Sequence, residues 1–438
     1  ANNIALGYEA GAQVKTGAYN IALGYQAMAA GDVTGTLNFA GGYQAGKSLT
    51  SGGSNVFLGV QAGMNVTTGT GNQYIGNSAG RCMCNGGYNV ALGYLALQGS
   101  TTVSDNTGAC NIAIGFCAGC IITSGCNNVL IGHAAGDAIT SGSNLIAIGC
   151  GALSAEDTNT NGSVAIGQDA LAVQNTTSLG NVAIGKDAGK AVTTGGENTF
   201  IGYSAGSGLT GNSNISIGTL TLTASSAGAD NTVVGHDAAR NNTGSNNTIM
   251  GQAAGDASGD GTDNTFIGRA SGGAVTNGDK NTFLGMNSGD AVTTGCCNVA
   301  IGHGADVASA TGNNQLAIGI AANNWITGDS SYNITVNDIS ASNFNSTSDI
   351  RLKTNIQPIG DPIGKVKQIE GVSFNWKKDN KPALGVIADQ VQEILPELVH
   401  GDDPKTVNYN GLIGLLIETV KEQQNQIDEL NDRISKLE

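Results

Sequence analysis

The chain has 438 residues, 68 of them glycine, and a formal net charge of −15. Residues 1–344 hold only 27 charged side chains (8 basic, 19 acidic), whereas residues 345–438 hold 26 (11 basic, 15 acidic), so a domain boundary is expected near residue 340. The acidic first part has no basic cluster able to neutralise a run of phosphates, which excludes nucleic acid as a partner. No apolar run nears the roughly 18 residues that cross a bilayer, so no membrane insertion is expected.

The chain starts at Ala1 without an initiator Met or a charged leader, which suggests a fragment or processed product that has lost an anchor. From the first residues onward the motif N-V-A-I-G-x-x-A-G recurs nineteen times, its glycine falling at 7, 24, 42, 59 and onward to 319, usually 17 residues apart. A short fixed period is the signature of a solenoid whose coils stack only on their neighbours. The residue before the glycine is apolar in eighteen copies (Leu6, Leu23, Ile75, Ile301 among them; Gly41 is the exception), and is expected to form the core ladder. Three residues after the glycine stands Ala, or in three copies Thr221, Ser271 and Ser288, so only a small side chain fits there.

Two residues before the glycine the side chain is again apolar, alternating small and large as in Ala5, Phe57, Tyr74, Ala91 and Phe200. A half-exposed strand would be polar at that parity, so both strand faces should be buried, one by the coil's own turn and one by identical chains around a three-fold axis. Asn stands four before the glycine in sixteen copies; Ser163 replaces it once, and Asn144 and Asn314 stand five before, as if one residue were inserted. Asn tolerates left-handed backbone, and its amide can bond local backbone or a stacked amide in the next coil. The intervening TTG, TSG and GTGN turns are expected to use glycine for positive φ.

The residue after the glycine varies most and includes Tyr8, Tyr25, Tyr43, Tyr94 and three of the four histidines, His133, His236 and His303. These histidines read as ladder members rather than metal ligands. The tyrosines form either an exposed stripe for a glycan or protein receptor or a packed ladder. Of the nine cysteines, Cys117 and Cys120 form a C-x-x-C with Cys110, Cys126 and His133 nearby, but no second pair stands at zinc-finger spacing. Small apolar side chains at variable coil positions are the preferred reading, with no metal and no cofactor. The only acidic pair before the boundary is Glu156 with Asp157.

Units such as GNVAIGKDAGKAVTTGGENTF (180–200) resemble the head repeats of trimeric autotransporter adhesins and, equally, the repeats of phage tail-fibre shafts. That resemblance implies a homotrimeric, parallel β-roll; nineteen coils at one strand spacing each would span roughly 90 Å.

Beyond the β transition segment at 326–347, the composition is that of an α+β domain (348–411). Phe374 and Trp376 alternate as in a strand, a short strand and a helix stopping near Pro396 follow, and TVNY is another strand. From 412 a heptad places Ile413, Val420, Ile427 and Ile434 at one seam position and Leu416, Gln423, Leu430 and Leu437 at the other, which predicts a parallel coiled coil over 412–438. In order, SDIRLKTNI (348–356), FNW (374–376), GVIADQVQEILPELV (385–399) and VNYNGLIGLLIETVKE (407–422) resemble the endosialidase-type intramolecular chaperone, the peptidase S74 family.

The resemblance implies a domain that trimerises, drives fibre folding and then cuts itself off between Thr347 and Ser348. Ser348 would be the nucleophile and Lys353 its general base, with Asp349 and Arg351 in support. Five-residue spacing does not bring Ser348 and Lys353 together in a strand or a helix; a turn or a neighbouring subunit must do so. The whole therefore reads as a mostly β, homotrimeric tail-fibre shaft, residues 1–325, with a self-releasing chaperone, assembled in a host cytoplasm and carried on a virion. It is expected to recognise a host-surface glycan or protein. The alternatives are a cell-surface trimeric adhesin or, with less support, a polysaccharide-degrading spike, which would need two separated carboxyls around one bond.

Overall fold

A computed structural model describes residues 2–155, 162–174, 180–224, 228–321, 323–336, 347–377, 380–401 and 404–437. The chain divides into two compact units, residues 1–339 and 340–438. In the first, nineteen three- to five-residue strands run from β1 (Ile4–Leu6) to β19 (Leu316–Ile320), one per motif copy. Each pairs in parallel with its successor, Ile4 with Ile21 at one end and Val299 with Leu316 at the other. The chain then reverses: β20 (Asn323–Gly328) lies antiparallel on β19, and β21 (Ile334–Val336) antiparallel on β20. The stack is therefore a β-solenoid with a 17-residue repeat, closed at this end by a short antiparallel pair.

The motif glycine fixes how closely coils approach. At Gly59 φ is +137°, and a Cβ would stand 2.5 Å from the Gly76 carbonyl oxygen of the next coil. Any other residue there would strain the backbone and push two strands apart. Of the turn glycines, Gly71 in GTGN adopts the expected positive φ, at +74°, whereas the TSG glycine Gly52 does not and is needed for closeness, since a Cβ on it would meet Gly69 O at 2.3 Å. Positive φ falls on the motif glycine, on the residue four after it (Gly46 and Gly63), on the residue two after it (Gln26 and Gln44), and on the residue five before it (Ser54, Tyr88 and Gly71).

The core sits one residue away from its expected place. The middle residue of each three-residue strand is the enclosed one, with Phe57, Tyr74, Phe200, Phe266 and Phe283 fully buried. The residue before the glycine, expected to be the core ladder, faces outward, as Leu6 (72% exposed), Leu92 (44%) and Ile75 (38%) show. The physical reason is the two-residue period of a strand: a coil too narrow for two layers encloses only one parity. The outward parity keeps its aliphatic character and forms a stripe along the stack.

Asparagine serves through its amide and not through left-handed backbone, since none of the ladder asparagines has positive φ. Asn231, fully buried, receives the pattern in full. Its backbone N–H and its Nδ2 both donate to Asn214 Oδ1 at 3.0 Å, and Nδ2 also donates to Gly244 O at 2.9 Å. Its own Oδ1 accepts from the Asn247 backbone N–H at 3.0 Å. The expected one-residue insertions at Asn144 and Asn314 are absent: register is unbroken from Val129↔Ile146 and Val299↔Leu316. Leu145 and Gln315 occupy the ladder position, their backbone N–H groups donating the same bond to Asn128 Oδ1 and Asn298 Oδ1. Where Leu145 and Ser163 interrupt the amides, Gln174 fills in, donating to Ser163 Oγ at 3.3 Å and accepting from Asn181 Nδ2 at 3.4 Å.

Cys117 and Cys120 are joined as a disulfide, which corrects the reading of all nine cysteines as plain packing residues; the two Cα atoms, three residues apart in one turn, stand 4.8 Å from each other. The acidic pair Glu156 and Asp157 lies outside the described residues.

In the second unit, helix α1 (Pro362–Val366) begins at Asp361, whose carboxylate accepts from Gly364 N–H. A hairpin of β22 (Gly371–Asn375) and β23 (Pro382–Val386) follows, then α2 (Ala388–Ile394), which ends just before Pro396. The short pair β24 (Val399–His400) and β25 (Thr406–Val407) leads into α3 (Tyr409–Ser435), capped by Asn408. A small core of Val391, Leu395 and Leu415, with Val366, Ile369, Val386 and Leu412 packed on it, holds these together. Lys405 pairs with Asp389 across the surface. The heptad residues of α3 face solvent, from Ile413 at 54% exposed to Ile434 at 55%.

Replacing Asn231 by Ala leaves Gly244 O and Asn247 N–H buried without their partner and should cost about 3 kcal/mol, read as a lowered midpoint of urea unfolding. Replacing exposed Asn241 by Ala should change it by under about 0.5 kcal/mol. Equal effects would refute the ladder's role.

Candidate functional site

The segment after residue 346 opens with a single 3-10 turn, Ile350–Leu352. Asp349 starts it: its backbone carbonyl accepts from Leu352 N–H at 3.1 Å while its carboxylate accepts from Arg351 N–H at 2.8 Å. Lys353 closes it, donating its N–H to Ile350 O at 3.1 Å. An aspartate at the start of a turn is favoured because its short carboxylate reaches the free N–H groups there.

This turn folds the five-residue spacing back on itself. Lys353 Nζ lies 2.7 Å from Ser348 Oγ, so the gap that neither a strand nor a helix could close is closed within one chain. Arg351 turns its guanidinium to the other side of the turn. Its Nε bonds both carboxylate oxygens of Asp349 at 3.1 Å, and one terminal nitrogen bonds Oδ2 at 2.6 Å. The four residues thus form two adjacent pairs, Ser348 with Lys353 and Asp349 with Arg351. The contacts of Arg351, expected only in a supporting role, are with Asp349, where its charge is matched.

The Arg351 side chain, and then its backbone N–H, hold the Asp349 carboxyl below the ordinary carboxylate range. The same contact raises the arginine. Thr347, Ser348 and Lys353 are all exposed in the single chain, as are Ile350 (71%), Leu352 (74%) and Ile356. A lysine acts as a base only when neutral, and removal from water is what favours that form. The geometry of a nucleophile and base is therefore assembled, whereas the surface around it is open. The exposed Ile350, Leu352 and Ile356 were not singled out from sequence; their signal is an apolar residue at every second or fourth position beside the charged ones, with no periodic element to bury them.

Elsewhere, the tyrosine column is both exposed and stacked. Tyr8 on Tyr25 and Tyr25 on Tyr43 have ring centroids 5.1 and 5.3 Å apart, with His133 stacked on Phe116 in the same column at 5.1 Å. Beside it, Gln26 donates to Glu9 and Gln44 to Gln26, an amide row running parallel to the rings.

Residues 348–400 match the peptidase S74 family, chaperone of endosialidase, the match beginning at Ser348 itself. The second unit thus carries a domain of that family. The chain is also similar to the long tail fiber protein Gp37 of Enterobacteria phage K3, 32% identical over 108 residues, which are 22% of this chain and 9% of that protein. The Gp37 proteins of Enterobacteria phage T2 and Escherichia phage AR1 are 32% and 36% identical over 108 and 87 residues, covering 22% and 17% of this chain and 8% of each relative. The chain spans less than a tenth of the length of these relatives. No solved structure matches it.

Because the folded carboxyl of Asp349 is depressed, the pairing stabilises the turn above the unfolded aspartate value of about 3.9 and is lost as pH falls through the lower folded value. An NMR titration should find the Asp349 midpoint below about 3.9, and Arg351→Ala should return it towards that value. A wild-type midpoint at the ordinary value would contradict the pairing.

Proposed function

We propose that the chain is the shaft of a phage tail fibre, assembled as a homotrimer by its C-terminal chaperone, which then releases itself by cutting between Thr347 and Ser348. The observation that carries the release is the 2.7 Å contact between Lys353 Nζ and Ser348 Oγ at the first residue of the chaperone domain. Ser348 Oγ attacks the Thr347 carbonyl carbon, and its proton passes to the neutral Lys353 amine. The bond to the Ser348 nitrogen breaks, that amine takes up the proton, and water hydrolyses the resulting ester. Each chain is cut once, so Ser348 is an assembly device.

Trimerisation supplies what the single chain lacks. The seam of α3 and the aliphatic stripe of the solenoid are both apolar and open to solvent, and both run in parallel registers that identical chains can share. Covering the exposed Ile350 and Leu352 as chains associate would remove Lys353 from water and favour its neutral form, which makes cutting follow assembly. A slip of one coil between near-identical chains still buries most of the same surface, so an external clamp at one end is needed to set register. The Gp37 relatives are named as long tail fibre proteins, which supports the fibre reading and a place on the virion, with assembly in the host cytoplasm and recognition of a host surface by the exposed column around Tyr8, Tyr25 and Tyr43. Where two carboxyls of the solenoid come together at Asp169 and Asp187, Lys190 Nζ binds both, at 3.4 and 2.8 Å, so this pair is neutralised by an ion pair rather than set to flank a glycosidic bond.

On a denaturing gel the wild type should release the 91-residue piece from 348 to 438, while Ser348→Ala and Lys353→Met stay full-length. Release from Ser348→Ala at the wild-type rate would remove the self-cutting claim.

A further inference from the structure

One column of the solenoid interior, seven residues after the motif glycine, carries apolar side chains in many coils: Leu49, Val66, Met83, Ile122, Ile139, Val192, Leu209, Val275 and Val292 are all fully buried. In the two successive coils before Val275 it holds Asn242 and Ser258, 1% and 3% exposed. The asparagine ladder shows how this interior satisfies a buried amide, each side chain bonding the next coil. Gln174, in this same column, bonds both Ser163 and Asn181.

Asn242 and Ser258 do not follow that pattern. Neither Oδ1 nor Nδ2 of Asn242 bonds a protein group, and neither does Ser258 Oγ. The Ser258 hydroxyl lies inward: it, Ile249 Cδ1 and Phe266 Cδ2 all stand within 3.2 Å of the point where a Cβ on Gly255 would sit. A buried amide or hydroxyl without a partner costs on the order of 1–3 kcal/mol each, so three such atoms together call for a common partner.

We propose that Asn242 and Ser258 form an interior binding site for one ordered water molecule. The site offers an acceptor and a donor from Asn242 and a hydroxyl that can be either, which suits the two to four hydrogen bonds a buried water makes. Successive members of the column are one coil rise, about 4.8 Å, apart. A water about 2.8 Å from each side chain bridges that separation. Room for it comes from the residues themselves: Ser258 is smaller than the Val275 that fills this position in the next coil, by more than the roughly 30 Å³ a water occupies. The ligand is neutral water rather than a cation, because the amide and hydroxyl bring no formal charge and the column is lined by Leu209, Ile249, Phe266 and Val275.

The test is a pair of crystal structures of the full chain, wild type and Ser258→Val, at a resolution that shows ordered water. The wild-type map should hold a peak within about 3.2 Å of both the Asn242 amide and Ser258 Oγ. In Ser258→Val, whose methyl groups fill the same space, the peak should be gone with the coils on either side unchanged. A wild-type map without the peak, or with the Asn242 amide bonded to protein groups, overturns the proposal. So does a peak that persists in Ser258→Val.

Discussion

Successive coils are separated by one strand spacing, about 4.8 Å, and everything else in the solenoid follows from that distance. At such a rise each side chain stands directly over its counterpart one repeat away, so a column must be filled by residues that tolerate their own kind. Asparagine does this by donating to one neighbour and accepting from the next. Aromatic rings do it by stacking, inside at Phe266 on Phe283 (5.2 Å) and outside at Tyr8 on Tyr25. Motif glycines do it by having no side chain at all. Charges do not stack on their own kind, which accounts for a first unit nearly empty of them.

The narrow cross-section of each coil limits it to a single enclosed layer, so a chain with apolar residues on both strand parities cannot bury both alone. What remains outside is a continuous aliphatic stripe, and the long final helix likewise leaves its heptad seam open. In the proposed assembly, association of identical chains would cover both at once. The turn at 348–353 has its serine and lysine already in contact, and the proposed cutting step would follow once association removes water from around them.

Much of this was readable in the sequence because the repeat is a direct record of the spacing. The period of 17, the nineteen copies and the strand at each V-A-I stood out, as did the α2 stop before Pro396 and the small residues three after the glycine. Which strand parity faces inward was not, since Ala5 and Leu6 are both apolar and only the width of the coil decides between them. The shift of Asn144 and Asn314 looked like an insertion because sequence shows identity, whereas backbone register shows that Leu145 and Gln315 take the ladder position. At the candidate site the residue types of Ser348, Lys353, Asp349 and Arg351 were evident from their motif. The contacts were not: the 3-10 turn depends on the Asp349 carboxylate accepting from Arg351 N–H, a local bond that spacing alone does not specify.

The central claim is that the outward stripe, with Leu92, Ile184 and Ile301 in it, is an interface between copies of this chain. Electron cryomicroscopy of the full chain tests it most directly, through the cross-section of the solenoid. The account predicts three solenoids in register around one axis, with those residues turned towards each other. A single solenoid with the stripe in water, or three joined through the tyrosine column instead, would contradict it.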